Sequence, residues 1–210
     1  MRVCLASTSP ARLMLLRQAG IEPILRAPEV DEDAVAAEAG DVSPEELVLL
    51  LARVKAADVA TRLAAEDPTF DGIVIGGDSM FLLDGRVYGK PHTPEEATRR
   101  WYEMRGKTGV LNSGHSVYRL SPRNEPREAF ATASAAVSFA ADISDDEISA
   151  YVASGEPLHV AGAFTIDSLG GPFIERVDGD PSTVVGMSLV TIRRLVRELG
   201  VSWTDLWNRS

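Results

Sequence analysis

Apolar positions fall into short runs and helical stripes that alternate along the chain. Arg2 to Ala6 is a short apolar run that reads as a buried strand. Ser7-Thr8-Ser9-Pro10 and the segment LMLLRQAG follow. Ser9 as N-cap, Pro10 at the first helical position and Gly20 at the far end delimit a helix. Ile21 to Ala27 predicts a second strand. Ser43 and Glu46 are spaced as a capping box and open a long helix to about Ala65, with Leu47, Leu50, Leu51, Val54 and Val59 as its apolar stripe. Ile73-Val74-Ile75 reads as a buried strand that runs into Gly76-Gly77, where the backbone can turn sharply or let a ligand come close. Met80 to Leu83 and Arg86 to Tyr88 flank Asp84-Gly85, a strong signal for a two-residue hairpin.

The pattern continues with a capped helix from Thr93-Pro94-Glu95-Glu96 to Arg105-Gly106. Gly106 to Gly114 is polar and Gly-rich and reads as a mobile loop. His115 to Leu120 and Ala129 to Ala140 alternate like strands, with Ser121 to Glu128 as their connection. Ser144-Asp145-Asp146-Glu147 caps a further helix that closes at Gly155. Ala161 to Ser188 is dense in Gly, carries Asp167, Glu175, Asp178 and Asp180, and suits neither one helix nor one strand. Long irregular segments of this kind are often functional. A last helix, Leu189 to Leu199, places Ile192, Leu195, Val196 and Leu199 on its apolar face. Strands and helices alternate with some hairpins, so the fold class is α/β (mixed α+β) on a mixed sheet. No clear linker interrupts the chain, which predicts a single domain over residues 1–210.

Charge narrows the partners. The formal net charge is −10, which disfavours non-specific binding to nucleic acid or to an anionic membrane. A small anionic ligand is still allowed, provided that Lys, Arg, a helix N-terminus or a metal ion meets it. No run of 18 apolar residues is present, and the apolar segment at the N-terminus is too short for a signal peptide. The single cysteine, Cys4, sits in an apolar run and reads as core. These features predict a cytoplasmic protein.

Several side chains are candidates for chemistry. Asp78 and Lys90 stand at the two ends of the hairpin, a plausible arrangement for a metal ion and a phosphate chain. A turn cap and a solvated lysine are equally compatible with that spacing. The strand-to-helix junction at Ser9 is a ready anion site, to which Arg12 in the first helical turn could add a charged fork. Simple capping explains Ser9 as well. Glu29, Asp31, Glu32 and Asp33 form an acidic cluster of the sort usually found in a solvated loop. Lys55 lies beside the apolar stripe of its helix, where a lysine normally snorkels to water. His115 and His159 have no partner at metal-ligand spacing, so structural roles are expected.

Four segments in order carry a resemblance. LASTSPARLMLL resembles the opening Ser-x-Ser-Pro-Arg-Arg motif of the Maf family of nucleoside triphosphate pyrophosphatases, the septum-formation-inhibitor type. VIGGDSM is similar to its Gly-Ala-Asp-Thr motif and YGKP to its Gly-Lys-Pro motif. AGAFTIDSLGGPFIERVDGDPSTVVGMSL resembles its long C-terminal signature, with Glu32 and Lys55 at family-like positions between the motifs. The resemblance implies two lobes around a central cleft, a fold shared with inosine triphosphate pyrophosphatases. It implies hydrolysis of a nucleoside triphosphate to monophosphate and pyrophosphate with a divalent cation, Mg²⁺ or Mn²⁺. It also implies clearance of unwanted nucleotides from the pool, a link to cell-division arrest, and a possible homodimer. Carried over by position, Asp78 is the expected catalytic base and, with Glu32, a metal partner. Ser9, Arg12, Lys55 and Lys90 are expected phosphate contacts. The competing expectation is a nucleotide-binding regulator of septum formation with little turnover.

The departures from the family pattern also carry information. Ala11 stands where the family has the first Arg of its pair, and Gly77 and Ser79 replace Ala and Thr. Asp167 stands where many members have Gln in Gly-Ala-Tyr-Gly-Ile-Gln. An amide both donates and accepts, matching a uracil or thymine edge, whereas a carboxylate only accepts. If Asp167 meets the base, an edge with two donors, such as guanine N1 and N2, is favoured over a strict pyrimidine preference.

Overall fold

The computed structural model describes residues 1–209. β1 (Arg2–Ala6) leads into α1 (Pro10–Gln18), β2 (Ile24–Arg26), α2 (Glu32–Ala39) and α3 (Pro44–Glu66). β3 (Gly72–Leu83) and β4 (Arg86–Tyr88) precede α4 (Pro94–Met104), and β5 (Thr108–Ser121) and β6 (Asn124–Phe139) precede α5 (Asp145–Ala153). Short 3₁₀ turns then lead to β7 (Ile174–Asp178), α6 (Pro181–Val185) and α7 (Leu189–Glu198). The strands form a seven-stranded sheet in the order β2-β1-β3-β5-β6-β7, with β4 paired to β3 off that path. β1 is parallel to both β2 and β3, whereas β4 runs antiparallel to β3 and β7 antiparallel to β6. This is the mixed α/β architecture that the alternation of elements predicts.

The helix starts follow their local chemistry. Ser9, Ser43, Thr93 and Ser144 each accept a backbone N–H of the first turn through the side-chain oxygen, and Ser43 and Ser144 complete capping boxes with Glu46 and Glu147. Asp84 and Gly85 both adopt positive φ, 49° and 75°, as the primed hairpin turn between β3 and β4 requires.

Four expectations need correction. β3 does not end at Ile75 but continues through Gly76, Gly77 and Asp78 to Leu83. The stretch from Gly106 to Gly114 is not a loop, because β5 begins at Thr108. Its glycines mark close approach rather than mobility: a Cβ on Gly109 would lie 2.2 Å from the Phe81 ring. The connection between β5 and β6 is not Ser121 to Glu128 but residues 122–123 alone. Most of the acidic cluster is not loop, since Asp31 caps α2 and Glu32 and Asp33 lie in its first turn, where carboxylates suit the helix dipole.

Two compact units divide the chain. The first comprises Met1–Asp78, Ser113–Ala133 and the chain from Gly186 onward, and the second Ser79–Asn112 and Ser134–Val185. The first has a core of Cys4, Ala6, Val59, Ala60, Leu63, Phe70, Val74 and Leu120. The second is built on aromatic side chains. Trp101 meets Tyr151, Phe139 and Phe173 edge-on with centroids 5.1, 5.6 and 5.6 Å away, and its indole N–H donates to Ala163 O at 2.8 Å.

Within the first unit, two glycines let α3 lie directly on the sheet. A Cβ on Gly114 would stand 2.2 Å from Val48 O, and one on Gly76 would stand 2.6 Å from Ala52 O and 2.7 Å from Ala56 Cβ. These neighbours are mostly helix backbone and cannot swing aside. Gly114→Ala is therefore expected to destabilise the protein by about 2 kcal/mol through overpacking, a fall in Tm of roughly 6 °C. Thermal unfolding followed by circular dichroism checks this, and an unchanged Tm would mean that α3 moves off the strands at no cost.

Candidate active site

Close packing of α3 on β3 has a direct consequence for charge. The buried positions of α3 include Val48, Leu51, Ala52, Lys55, Ala56 and Val59, a stripe rotated from the one that the largest apolar residues suggest. Leu50 is exposed, and Lys55 falls inside the stripe with 6% of its surface accessible. Lys55 therefore does not snorkel to water. Its Nζ donates to Asp78 Oδ1 at 2.7 Å and lies 2.7 Å from Glu32 Oε2. Asp78, on β3, is itself only 9% accessible, whereas the Glu32 side chain at the start of α2 is 51% accessible. One ammonium thus joins a buried and an exposed carboxylate from two different elements.

The N-terminus of α1 belongs to the same unit. Ser9 Oγ accepts Arg12 N at 3.4 Å, so Ser9 acts as the N-cap that the sequence predicts. The Arg12 guanidinium donates through Nε to Gly186 O at 2.9 Å and lies 3.3 Å from Ser7 Oγ. Burial lowers the pKa of Arg12, while the negative charges of Asp78 and Glu32 oppose that shift. A guanidinium keeps its charge under such a shift. Gly77 lies against it, and a Cβ there would stand 3.4 Å from Arg12 Nε, an ordinary contact that alanine would also make.

Five of the seven sequence candidates therefore fall in the first unit: Ser9, Arg12, Glu32, Lys55 and Asp78. Lys90 and Asp167 fall in the second, and both are exposed. Lys90 follows β4 between Gly89, whose carbonyl accepts Gly162 N at 3.3 Å, and Pro91. Asp167 sits in the 165–170 turn, outside any helix or strand.

That turn is held by a residue that sequence reasoning misses. Glu156 Oε1 accepts the Tyr151 hydroxyl at 3.0 Å, the Thr165 hydroxyl and Gly170 N at 3.1 Å. Its Oε2 accepts the Ser168 hydroxyl at 2.6 Å and Leu169 N at 3.2 Å. Burial raises the carboxyl pKa, and the hydrogen bonds more than offset it, leaving the group below the ordinary glutamate range. The only sequence signal is a carboxylate directly after Gly155 with two hydroxyl residues downstream, which no standard motif captures.

Other candidates have structural roles. His115 is buried, and its Nε2 accepts Ser188 N at 2.8 Å. Cys4 is fully buried, and burial pushes its thiol up to about 11, which leaves it inert. Among the described residues, no group of three or more His, Cys, Asp or Glu side chains is placed to hold a metal ion. No helix among them is long and apolar enough to cross a membrane.

The family model for Maf-like proteins matches residues 2–199. The chain belongs to the Maf family. A Maf relative from Leifsonia xyli subsp. xyli is 59% identical over all of this chain and 98% of its own length. Others from Rhodococcus jostii and Salinispora tropica are 50% and 52% identical, over 98% and 100% of this chain and 96% and 88% of theirs. Each of the three is called a nucleoside triphosphate pyrophosphatase. Among solved structures, the Staphylococcus aureus Ham1 protein aligns with 67% of this chain and 73% of its own at 14% identity, with a TM-score of 0.36, a likeness too slight to bear on this Maf protein.

Proposed function

We propose that this Maf protein acts as one functional domain that hydrolyses nucleoside triphosphates to the monophosphate and pyrophosphate, clearing unwanted nucleotides. The observation that carries this reading is the Lys55 ammonium, 2.7 Å from both Asp78 and Glu32, beside Arg12 and the N-terminus of α1. Full-length relatives named for the same reaction support it.

A triphosphate brings about four negative charges to a protein of net charge −10, so local cations must neutralise it. Arg12 and Lys55 supply that charge, with the positive end of the α1 dipole in the same unit. The donor set also fits a divalent cation. Asp78 and Glu32 offer hard carboxylate oxygens that meet at one nitrogen, and Glu32 is open to solvent, which leaves room for phosphate oxygens and water. Mg²⁺ or Mn²⁺ suits such a site, since Mg²⁺ usually takes one or two carboxylates and fills its remaining positions from phosphate and water. When bound, the cation supplies charge neutralisation on the phosphates. Asp78 takes the proton of a water as its oxygen bonds to the α-phosphorus. The bond from that phosphorus to the α–β bridging oxygen breaks, and pyrophosphate leaves with the electron pair. Positioning and charge stabilisation by Arg12 and Lys55 account for most of the remaining acceleration.

A nucleotide panel with Mg²⁺ and Mn²⁺, with products identified, tests the reading. Pyrophosphate plus monophosphate supports it, and release of orthophosphate alone marks a phosphomonoesterase instead. Asp167 is read as a contact to the base edge. The wild type is expected to accept GTP or 7-methyl-GTP at least as well as dTTP and UTP, and Asp167→Gln to move kcat/KM about tenfold toward the pyrimidines. A wild type that prefers dTTP and UTP, with no response to the swap, would refute that role.

A further inference from the structure

We propose that Glu156 is a positioning residue for base selection, because it fixes the turn that presents Asp167. This rests on the reading of Asp167 as a base contact. Five groups converge on one half-buried carboxylate: the hydroxyls of Tyr151, Thr165 and Ser168 and the backbone N–H groups of Leu169 and Gly170. Four of the five belong to residues 165–170, the six-residue turn in which Asp167 points to solvent. The Tyr151 hydroxyl closes the ring by accepting Thr165 N at 3.3 Å while it donates to Glu156.

The turn has little freedom to rearrange around this carboxylate. A Cβ on Gly170 would stand 2.5 Å from Thr165 O and 2.7 Å from the Tyr151 hydroxyl, so its two ends press together where Glu156 binds them. The residues flanking Asp167 on both sides are thus held, while Asp167 itself is left exposed. A carboxylate that contacted substrate would keep lone pairs in reserve. Glu156 spends both oxygens on its own turn, which is the behaviour of a support rather than a ligand.

Glu156→Gln is the informative change, because it keeps shape and removes one acceptor oxygen. Wherever the new NH₂ group points, a backbone donor loses its carboxylate acceptor: either Leu169 N, or Gly170 N, which keeps only a longer bond to Thr165 Oγ1 at 3.4 Å. The Ser168 hydroxyl can rotate to accept, but the N–H of Leu169 or Gly170 cannot. The nucleotide panel is run first on the full-length wild type, then on Glu156→Gln, Asp167→Ala and the double variant. Glu156→Gln is expected to raise KM for the preferred nucleotide about tenfold with kcat changed less than about threefold, and to flatten the ratio of kcat/KM between preferred and disfavoured bases. In the Asp167→Ala background the same change is expected to leave that ratio where Asp167→Ala alone sets it. Amide hydrogen exchange of the Glu156→Gln variant is expected to be about tenfold faster across residues 165–170 and unchanged in the strands.

An active wild type whose base preference survives Glu156→Gln overturns this inference alone. So does a Glu156→Gln effect on base preference that persists in full in the Asp167→Ala background, since Glu156 would then act without Asp167. A wild type that releases no pyrophosphate from any nucleotide overturns the proposed activity, and this inference with it.

Discussion

Asp78→Asn is expected to slow pyrophosphate release by about 10³-fold, the scale of a lost general base. The substitution is nearly isosteric, and an asparagine Oδ1 can still accept the Lys55 ammonium that now lies 2.7 Å from Asp78 Oδ1. The charge and the ability to take a proton are lost, while the packing around β3 and α3 is kept. Nucleotide binding, measured with an analogue whose α–β bridge cannot be cleaved, is expected to stay within about threefold of wild type. If the protein were a nucleotide-binding regulator, Asp78→Asn would leave its function and its slow turnover alike. Metal titration separates two roles within the enzyme reading. Activity restored by raising Mg²⁺ about a hundredfold marks Asp78 as a metal ligand, whereas a deficit that persists at saturation marks it as the base.

The residues around this site were legible in the sequence to different degrees, and the difference follows the range of the interaction. Ser9, Ser43, Thr93 and Ser144 cap helices through bonds that span three residues, so the local pattern contains the whole of the physics. The hairpin at Asp84-Gly85 is local in the same way. Lys55 and Asp78 are 23 positions apart, and their contact depends on how closely α3 seats against β3. That seating is set by Gly76 and Gly114, which a propensity reading takes as a turn and as part of a loop. The same side-chain loss that lets a helix approach makes the strand look like a connection. Hydrophobicity alone misplaces Lys55 for a related reason: it ranks Leu50 as buried and Lys55 as solvated, although the close face is lined by small residues such as Ala52 and Ala56. The Glu156 turn lay further out of reach, since its value comes from five donors converging in space and none of them is unusual in sequence.

Lys55→Met is expected to have the largest effect on stability, a loss of about 3 kcal/mol and a fall in Tm of roughly 9 °C. The reason is asymmetric burial. Lys55 and Asp78 are 6% and 9% accessible, so removing the ammonium strands a carboxylate that water barely reaches. Glu32 is in a different position. Its side chain is 51% accessible, and Glu32→Gln breaks an equally short contact at a cost expected to stay below about 1 kcal/mol, because solvent replaces what the lysine supplied. The pair can be tested as a cycle by chemical denaturation. If the cost of Lys55→Met is the stranded charge, Asp78→Asn added to it restores about 2 kcal/mol, so the double variant is more stable than Lys55→Met alone. If the double variant is instead as unstable as the separate losses combined, Lys55 contributes through packing of its stem against α3 and β3. Activity divides along another line: Lys55→Met is expected to lose triphosphate binding as well as turnover, whereas Asp78→Asn loses turnover alone. A Lys55→Met protein with wild-type Tm and wild-type KM would show that the ammonium is neither a buried counter-charge nor a phosphate contact, and would remove the observation on which the proposed activity rests.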